Sequence, residues 1–155
     1  MSTYHVRAAT LDDVDALIHH RLAMFADMGV PCAPALDEAF RSWLRETMPA
    51  GVYRAWVVES EAGEIVAGGG ITILPCAPGP QWLATRMAFV YNVYTEAGHR
   101  RRGLARLLME AVHDWCRQNG VGAVGLNASR AGQPLYEAMG YRLSPSPMMV
   151  IGLHP

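Results

Sequence analysis

Apolar positions along this chain recur with two periods, and the switches between them mark out its elements. Tyr4 to Ala9 alternates as a half-buried strand does. The spacing then changes: Val14, Leu17, Ile18, Leu22 and Phe25 fall on one helical face. Thr10, Asp12 and Asp13 suit the start of that helix, because a hydroxyl caps free amides and acids favour the dipole's positive end. Gly29 and Pro31 close it. A second helix is predicted from about Ala35 to Met48, with Leu36, Phe40, Trp43 and Leu44 as its apolar side.

Val52 to Glu59 and Ile65 to Leu74 read as strands joined by the turn tetrad Glu61-Ala62-Gly63-Glu64. Gly68, Gly69 and Gly70 interrupt the second strand. A bulge or close packing accounts for such a run structurally, and a substrate approaching the backbone accounts for it functionally. A loop rich in proline and glycine, Pro75 to Gln81, has Trp82 at its far end and leads into a long strand, about Thr85 to Thr95. After the loop Glu96 to Arg102 comes the clearest helix, Gly103 to Asn119, with Leu104, Leu107, Leu108, Ala111, Val112 and Trp115 at three- and four-residue steps. A strand from Ala123 to Ala128, a short helix from about Pro134 to Met139 and final strand material from Tyr141 to Leu153 complete the pattern. The expected fold is α/β: a single mixed, largely antiparallel central sheet flanked by helices, in one domain spanning residues 1–155.

Composition narrows the functional classes. Residues are 51% apolar and 17% charged, which argues against disorder, and no apolar run reaches the roughly 18 residues of a membrane span. The alternating start, with His5 and Arg7, is not a signal peptide, so the expectation is a cytoplasmic protein with no membrane partner. Cys32, Cys76 and Cys116 are odd in number and lack a CxxC spacing, which speaks against a disulfide framework. The histidines, His5, His19, His20, His99, His113 and His154, show no HxxxH or HExxH pattern, so no metal is expected. A net charge of −1 gives no support to a polyanionic partner.

Charge is nevertheless concentrated at one point. His99-Arg100-Arg101-Arg102-Gly103-Leu104-Ala105-Arg106 places three consecutive arginines where the strongest helix begins, at the end whose dipole is already positive. A solvated basic loop is one reading. An anion docked on the free helix amides is the other, with Gly103 leaving room for a phosphate and the preceding strand delivering the ligand. GxxxxGK[ST] and GxGxxG are absent, so neither a P-loop nor a dinucleotide fold is indicated. No aromatic residues interleave the arginines, which disfavours a nucleic-acid partner.

At this point the sequence resembles the GNAT family of N-acetyltransferases. The family signature [RQ]-x-x-G-x-[GA] is matched by Arg100-Arg101-Arg102-Gly103-Leu104-Ala105, preceded by a segment, Tyr91 to Glu96, similar to the family's fourth strand. A second motif, ending L-Y-E-x-x-G-[FY], is matched by Leu135-Tyr136-Glu137-Ala138-Met139-Gly140-Tyr141. Motif identity runs from about Val90 to Tyr141, and element order is similar over the whole chain.

The resemblance implies acetyl-CoA as co-substrate, with Val93, Tyr94 and Thr95 bonding its pantetheine arm through the backbone. It implies that the amides around Arg101, Arg102, Gly103, Leu104 and Ala105 bind the pyrophosphate, with guanidinium groups of the Arg100 to Arg102 run reaching the 3′-phosphate. The Val93 N–H becomes the candidate donor to the thioester oxygen. Tyr136 matches the tyrosine that protonates the departing thiolate, against a plain core role on a short helix. Ser129 stands where many relatives carry asparagine, and offers one donor where an amide offers two. Some relatives use a glutamate of the fourth strand as base, but Thr85 to Tyr91 contains no acid here. That absence motivates the alternative of a non-catalytic acyl-CoA-binding module.

The acceptor would be a small-molecule or peptide amine lying over the sheet centre, walled by the first two helices and the Pro75 to Trp82 loop. Phe25, Met28, Phe40 and Trp82 are candidates for that wall or for the core. A homodimer is compatible with this reading.

Overall fold

The computed structural model describes residues 3–153, and His154 lies outside them. Five strands form one sheet in the order β1-β2-β3-β4-β5, with β1 His5–Ala8, β2 Tyr53–Glu59, β3 Ile65–Pro75, β4 Arg86–Thr95 and β5 Ala123–Gly125. The first four run antiparallel to their neighbours, and β5 lies parallel to β4. Helices α1, Val14–Asp27, and α2, Leu36–Thr47, precede β2, α3, Leu104–Gln118, follows β4, and α4, Gln133–Ala138, follows β5. Among the described residues no helix is long and apolar enough to cross a membrane.

The Thr10 start is realised as a capping box opening a short 3-10 turn ahead of α1. Asp13 there accepts both Arg7 Nη groups at 2.8 and 2.9 Å, while Arg7 Nε donates to Glu59 at 2.7 Å. This ties α1 to β1 and β2, and the Arg7 guanidinium holds the Asp13 carboxyl below the usual carboxylate range.

The sheet carries a core on each face. On one, Val14, Leu17 and Ile18 of α1 and Phe40 and Leu44 of α2 pack on Tyr53, Ala55 and Val57. On the other, Leu104, Leu108, Met109 and Val112 of α3 and Tyr136 of α4 pack on Trp56, Val58 and Ile71. Inward positions of β2 alternate between the two, as the pleat requires.

The triple glycine is explained by this double burial. A Cβ on Gly68 would stand 2.8 Å from His20 Nδ1, one on Gly69 2.9 Å from Leu108 Cδ2, and one on Gly70 would overlap the Tyr53 hydroxyl. α1 and α3 crowd Gly68 and Gly69, and the Tyr53 ring from β2 crowds Gly70, so that only a hydrogen fits at each.

The expected final strand is absent: residues 141–153 form no strand, and Leu143, Met148, Met149, Val150, Ile151 and Leu153 are exposed. Pro145 and Pro147 remove two ladder donors, and Ser144 Oγ takes up the Ser146 backbone locally, which interrupts pairing despite the apolar content. The strand expected from Ala123 to Ala128 is likewise shorter, ending at Gly125.

Candidate active site

Two consequences of the sheet define the site. First, β5 pairs with β4 only at Met87, Ala88 and Phe89, so β4 from Val90 to Thr95 has no strand on that side. The two strands splay and leave a strip of β4 backbone open. Second, β4 bulges within that strip. Tyr91 faces Gly70 and Tyr94 faces Gly68, so Gly69 alone opposes Asn92 and Val93. Asn92 takes φ 62, the left-handed conformation that asparagine tolerates better than most residues.

The open strip leads into the arginine loop. A 3-10 turn, Ala97–His99, is followed by Arg101 at φ 61 and Gly103 at φ 78, and α3 begins at Leu104. The Leu107 N–H donates to Gly103 O at 3.0 Å, so the amides ahead of it at the helix start have no intrahelical acceptor. A Cβ at Gly103 would meet nothing within 4 Å. The glycine is required by its left-handed backbone, and the space in front of it is open.

The three arginines do different work. Arg100 forms an ion pair with Asp27 at the end of α1 and donates through Nε to Thr95 O at 2.8 Å. Arg102 donates to the Tyr4 hydroxyl at 3.0 Å, which in turn lies 3.0 Å from His99 Nδ1, and to Gly98 O. These two hold the loop in shape. Arg101 makes no side-chain hydrogen bond among the described residues.

Tyr136 is buried in the α3-side core, with its ring edge-on to Tyr141 and against Gly132. Its hydroxyl makes no hydrogen bond to a described residue and is not among the sealed polar atoms. Burial raises its pKa. Ser129 Oγ accepts from the Gly132 N–H at 3.1 Å, supporting the turn into α4, which leaves the hydroxyl proton free to donate. Glu96 sits past the end of β4, as expected, and is engaged by His19 Nε2 at 2.6 Å. Among the described residues no group of three or more His, Cys, Asp or Glu side chains is placed to hold a metal.

On the α1–α2 side the structure assembles a network that no motif announces. Asn92 Oδ1 accepts from Arg21 Nη1 at 2.5 Å, and Asn92 Nδ2 donates to the Tyr53 hydroxyl at 3.2 Å. Burial pushes the Tyr53 phenol up to about 12. Beside this network a cavity of about 360 Å³ opens between α1, α2 and the segment joining them, with Arg21, Phe25 and Leu36 in its wall. Of the expected wall residues, Phe25 lines it, Phe40 is buried in the core under α1 and α2, and Met28 and Trp82 are exposed and not part of its wall. The only sequence signal for the network was an asparagine in the middle of an otherwise apolar strand.

Comparison with known proteins agrees with this geometry. Residues 18–141 match the family model "Acetyltransferase (GNAT) family". A GCN5-related N-acetyltransferase from Ralstonia eutropha JMP134 is 30% identical, with a TM-score of 0.87 over 96% of this chain and 99% of that one. A predicted acetyltransferase from Clostridium acetobutylicum, solved with acetyl-CoA, is 20% identical with a TM-score of 0.88 over 96% of each chain. Glucosamine-6-phosphate N-acetyltransferase from Arabidopsis thaliana is 21% identical, with a TM-score of 0.75 over 98% of this chain and 99% of that one. These last two likenesses are of fold. No curated protein sequence matches the chain.

Proposed function

Because the chain belongs to the GNAT acetyltransferase family, we propose that it is an acetyl-CoA-dependent N-acetyltransferase that passes the acyl group to a primary amine by direct attack in a ternary complex. The observation that carries this reading is the meeting of two backbone features: the unpartnered half of β4 and the free amides at the start of α3. A pantetheine arm completes the first as an added strand, through Val93, Tyr94 and Thr95, and a pyrophosphate occupies the second, at Arg101 to Ala105. Arg101, with no side-chain hydrogen bond among the described residues, is the guanidinium available to a phosphate, while Arg100 and Arg102 shape the loop. Ser129 offers its hydroxyl proton from the α4 side.

In the reaction the neutral amine nitrogen attacks the thioester carbon, the C–S bond breaks, and one amine proton is lost as one is gained by sulfur. The Val93 N–H, turned by the bulge, stabilises the oxygen as it gains charge; a donor of this kind contributes roughly 3 kcal/mol in acyl transfer. Tyr136 gives its proton to the departing thiolate and regains one from solvent before the next turnover. Burial keeps that phenol protonated through the neutral range, which is the state a donor needs. No acid lies between Arg86 and Thr95, so that stretch of β4 supplies no carboxylate to take the amine's proton.

The test is release of free thiol from acetyl-CoA across a panel of amines. Turnover with at least one amine is expected, and Tyr136→Phe should lower kcat about 100-fold while leaving acetyl-CoA affinity unchanged. Equal losses in both would assign Tyr136 to packing. Acetyl-CoA binding with no thiol release over the panel would point instead to a non-catalytic acyl-CoA-binding module.

A further inference from the structure

Arg21 makes the strongest chemical demand on the acceptor side. Its guanidinium lies between two aromatic rings, 5.0 Å from the Phe25 centroid and 4.8 Å from that of Phe40. Nη1 is committed to Asn92, and the Nε–H is buried without a partner. Among the described residues Arg7, Arg41, Arg100 and Arg117 each pair with a carboxylate, whereas Arg21 has none within ion-pair distance. Burial lowers its pKa from 12.5, and the group stays a cation at neutral pH.

A half-buried cation with no carboxylate beside it among the described residues is costly to keep. An anion in the cavity that Arg21 lines would supply the missing charge. The two rings and Asn92 hold the guanidinium in place. With Nη1 used and Nε sealed, Nη2 is the donor left for a carboxylate oxygen.

The cavity beside it is otherwise apolar, walled by Phe25, Val30, Pro31, Leu36 and Ala39. Asn92 itself forms the β4 bulge, one residue before Val93. An anion held on Arg21 is thereby anchored next to the strip of strand assigned to the thioester.

We propose that Arg21 is the acceptor-recognition residue and that the amine acceptor is an amino-carboxylate with an apolar body: its carboxylate pairs with Arg21, its apolar part fills the α1–α2 cavity, and its amine is left facing β4. This rests on the acyl-transfer reading given above. Neutral or polycationic amines lack the group that would complete the site.

Two measurements separate the parts. In calorimetry on the protein saturated with CoA, 3-phenylpropionate should bind roughly 10- to 100-fold more tightly than 3-phenylpropionamide, the range for a charge-assisted pair. Arg21→Gln should remove that preference, and Arg21→Lys, which keeps the charge but not the planar guanidinium held by Asn92, should leave an intermediate one. In the thiol-release assay, L-phenylalanine and L-leucine should exceed their amides in kcat/KM by a similar factor. That ratio should fall to near one in Arg21→Gln with the KM for acetyl-CoA unchanged. Equal binding of phenylpropionate and its amide, equal use of acids and amides, or a ratio surviving in Arg21→Gln would overturn the proposal. Absence of turnover with every amine, alongside Arg21-dependent phenylpropionate binding, would overturn the acyl-transfer reading and leave the carboxylate site standing.

Discussion

The two halves of the proposed site, one for the acyl donor and one for the amine acceptor, are built from different materials. The donor half, from the β4 bulge through the arginine loop to the start of α3, presents backbone: an unpaired strand edge, amides without intrahelical partners, and left-handed residues at Asn92, Arg101 and Gly103. The acceptor half presents side chains, Arg21 and Phe25 from α1, Phe40 from α2, Tyr53 from β2 and Asn92 from β4. A backbone site needs a short contiguous run with glycine at a fixed place. A side-chain site draws on positions scattered over 70 residues of chain (|i−j| is 71 between Arg21 and Asn92) and can be rebuilt with different side chains. The first kind suits a ligand common to many enzymes, and the second suits the ligand that tells them apart.

The comparison can be broken first on the donor side. Gly103→Glu forces a side chain into a left-handed conformation and sets a carboxylate where phosphates are proposed to dock. Acetyl-CoA affinity measured by calorimetry should fall at least about 1000-fold, since like charges in contact cost several kcal/mol. Binding within a few-fold of the parent would mean the donor does not use this helix start.

A second test sharpens what lies between the halves. His20, on α1, is packed against Gly68 and Tyr94, and burial lowers its pKa to about 4 from 6.5. The neutral ring is the one the fold accepts, so the unfolded chain binds the extra proton first as pH falls. The stability from this group is therefore complete above about pH 6.5 and is lost as pH drops towards about 4. The loss approaches about 3 kcal/mol across that window. Denaturant unfolding at several pH values should show this slope, and His20→Gln should flatten it. An unchanged slope in the variant would assign the acid sensitivity elsewhere.

The third effect is the smallest and falls on Asn92, which the two halves share. Gly70→Ala would push a methyl into Tyr53 and to within 2.9 Å of the Arg54 carbonyl, breaking the Tyr53–Asn92 bond. Overpacking of this kind costs about 2 kcal/mol, or roughly 4–8 °C in Tm for a chain of this size. Acetyl-CoA affinity should fall far less than in Gly103→Glu, because the free amides of α3 are untouched. A large loss of donor affinity would show that the halves are not separable.

The same division explains what the sequence made legible. Helical periodicity placed α1, α2 and α3 within a residue or two at most boundaries, and the signature around Gly103 marked the loop that opens α3, because local chemistry decides both. The glycine run was open between close packing and substrate approach; it proves to serve packing, with His20, Leu108 and Tyr53 each taking the space of one missing side chain. That could not be read beforehand, since those partners come from three distant elements. Reading Arg100 to Arg102 as one cluster missed that Arg100 and Arg102 have acceptors of their own in Asp27, Thr95, Tyr4 and Gly98. The predicted strand over residues 141–153 failed for a local reason that was visible, the two prolines of Ser144-Pro145-Ser146-Pro147.

Amide hydrogen exchange with and without saturating acetyl-CoA tests the central claim most directly, because that claim concerns backbone groups. Slowed exchange is predicted at Val93 to Thr95 and at Arg101 to Ala105, the two runs that the proposed ligand would contact. Unchanged exchange at both, under conditions where acetyl-CoA is shown to bind, would contradict the account.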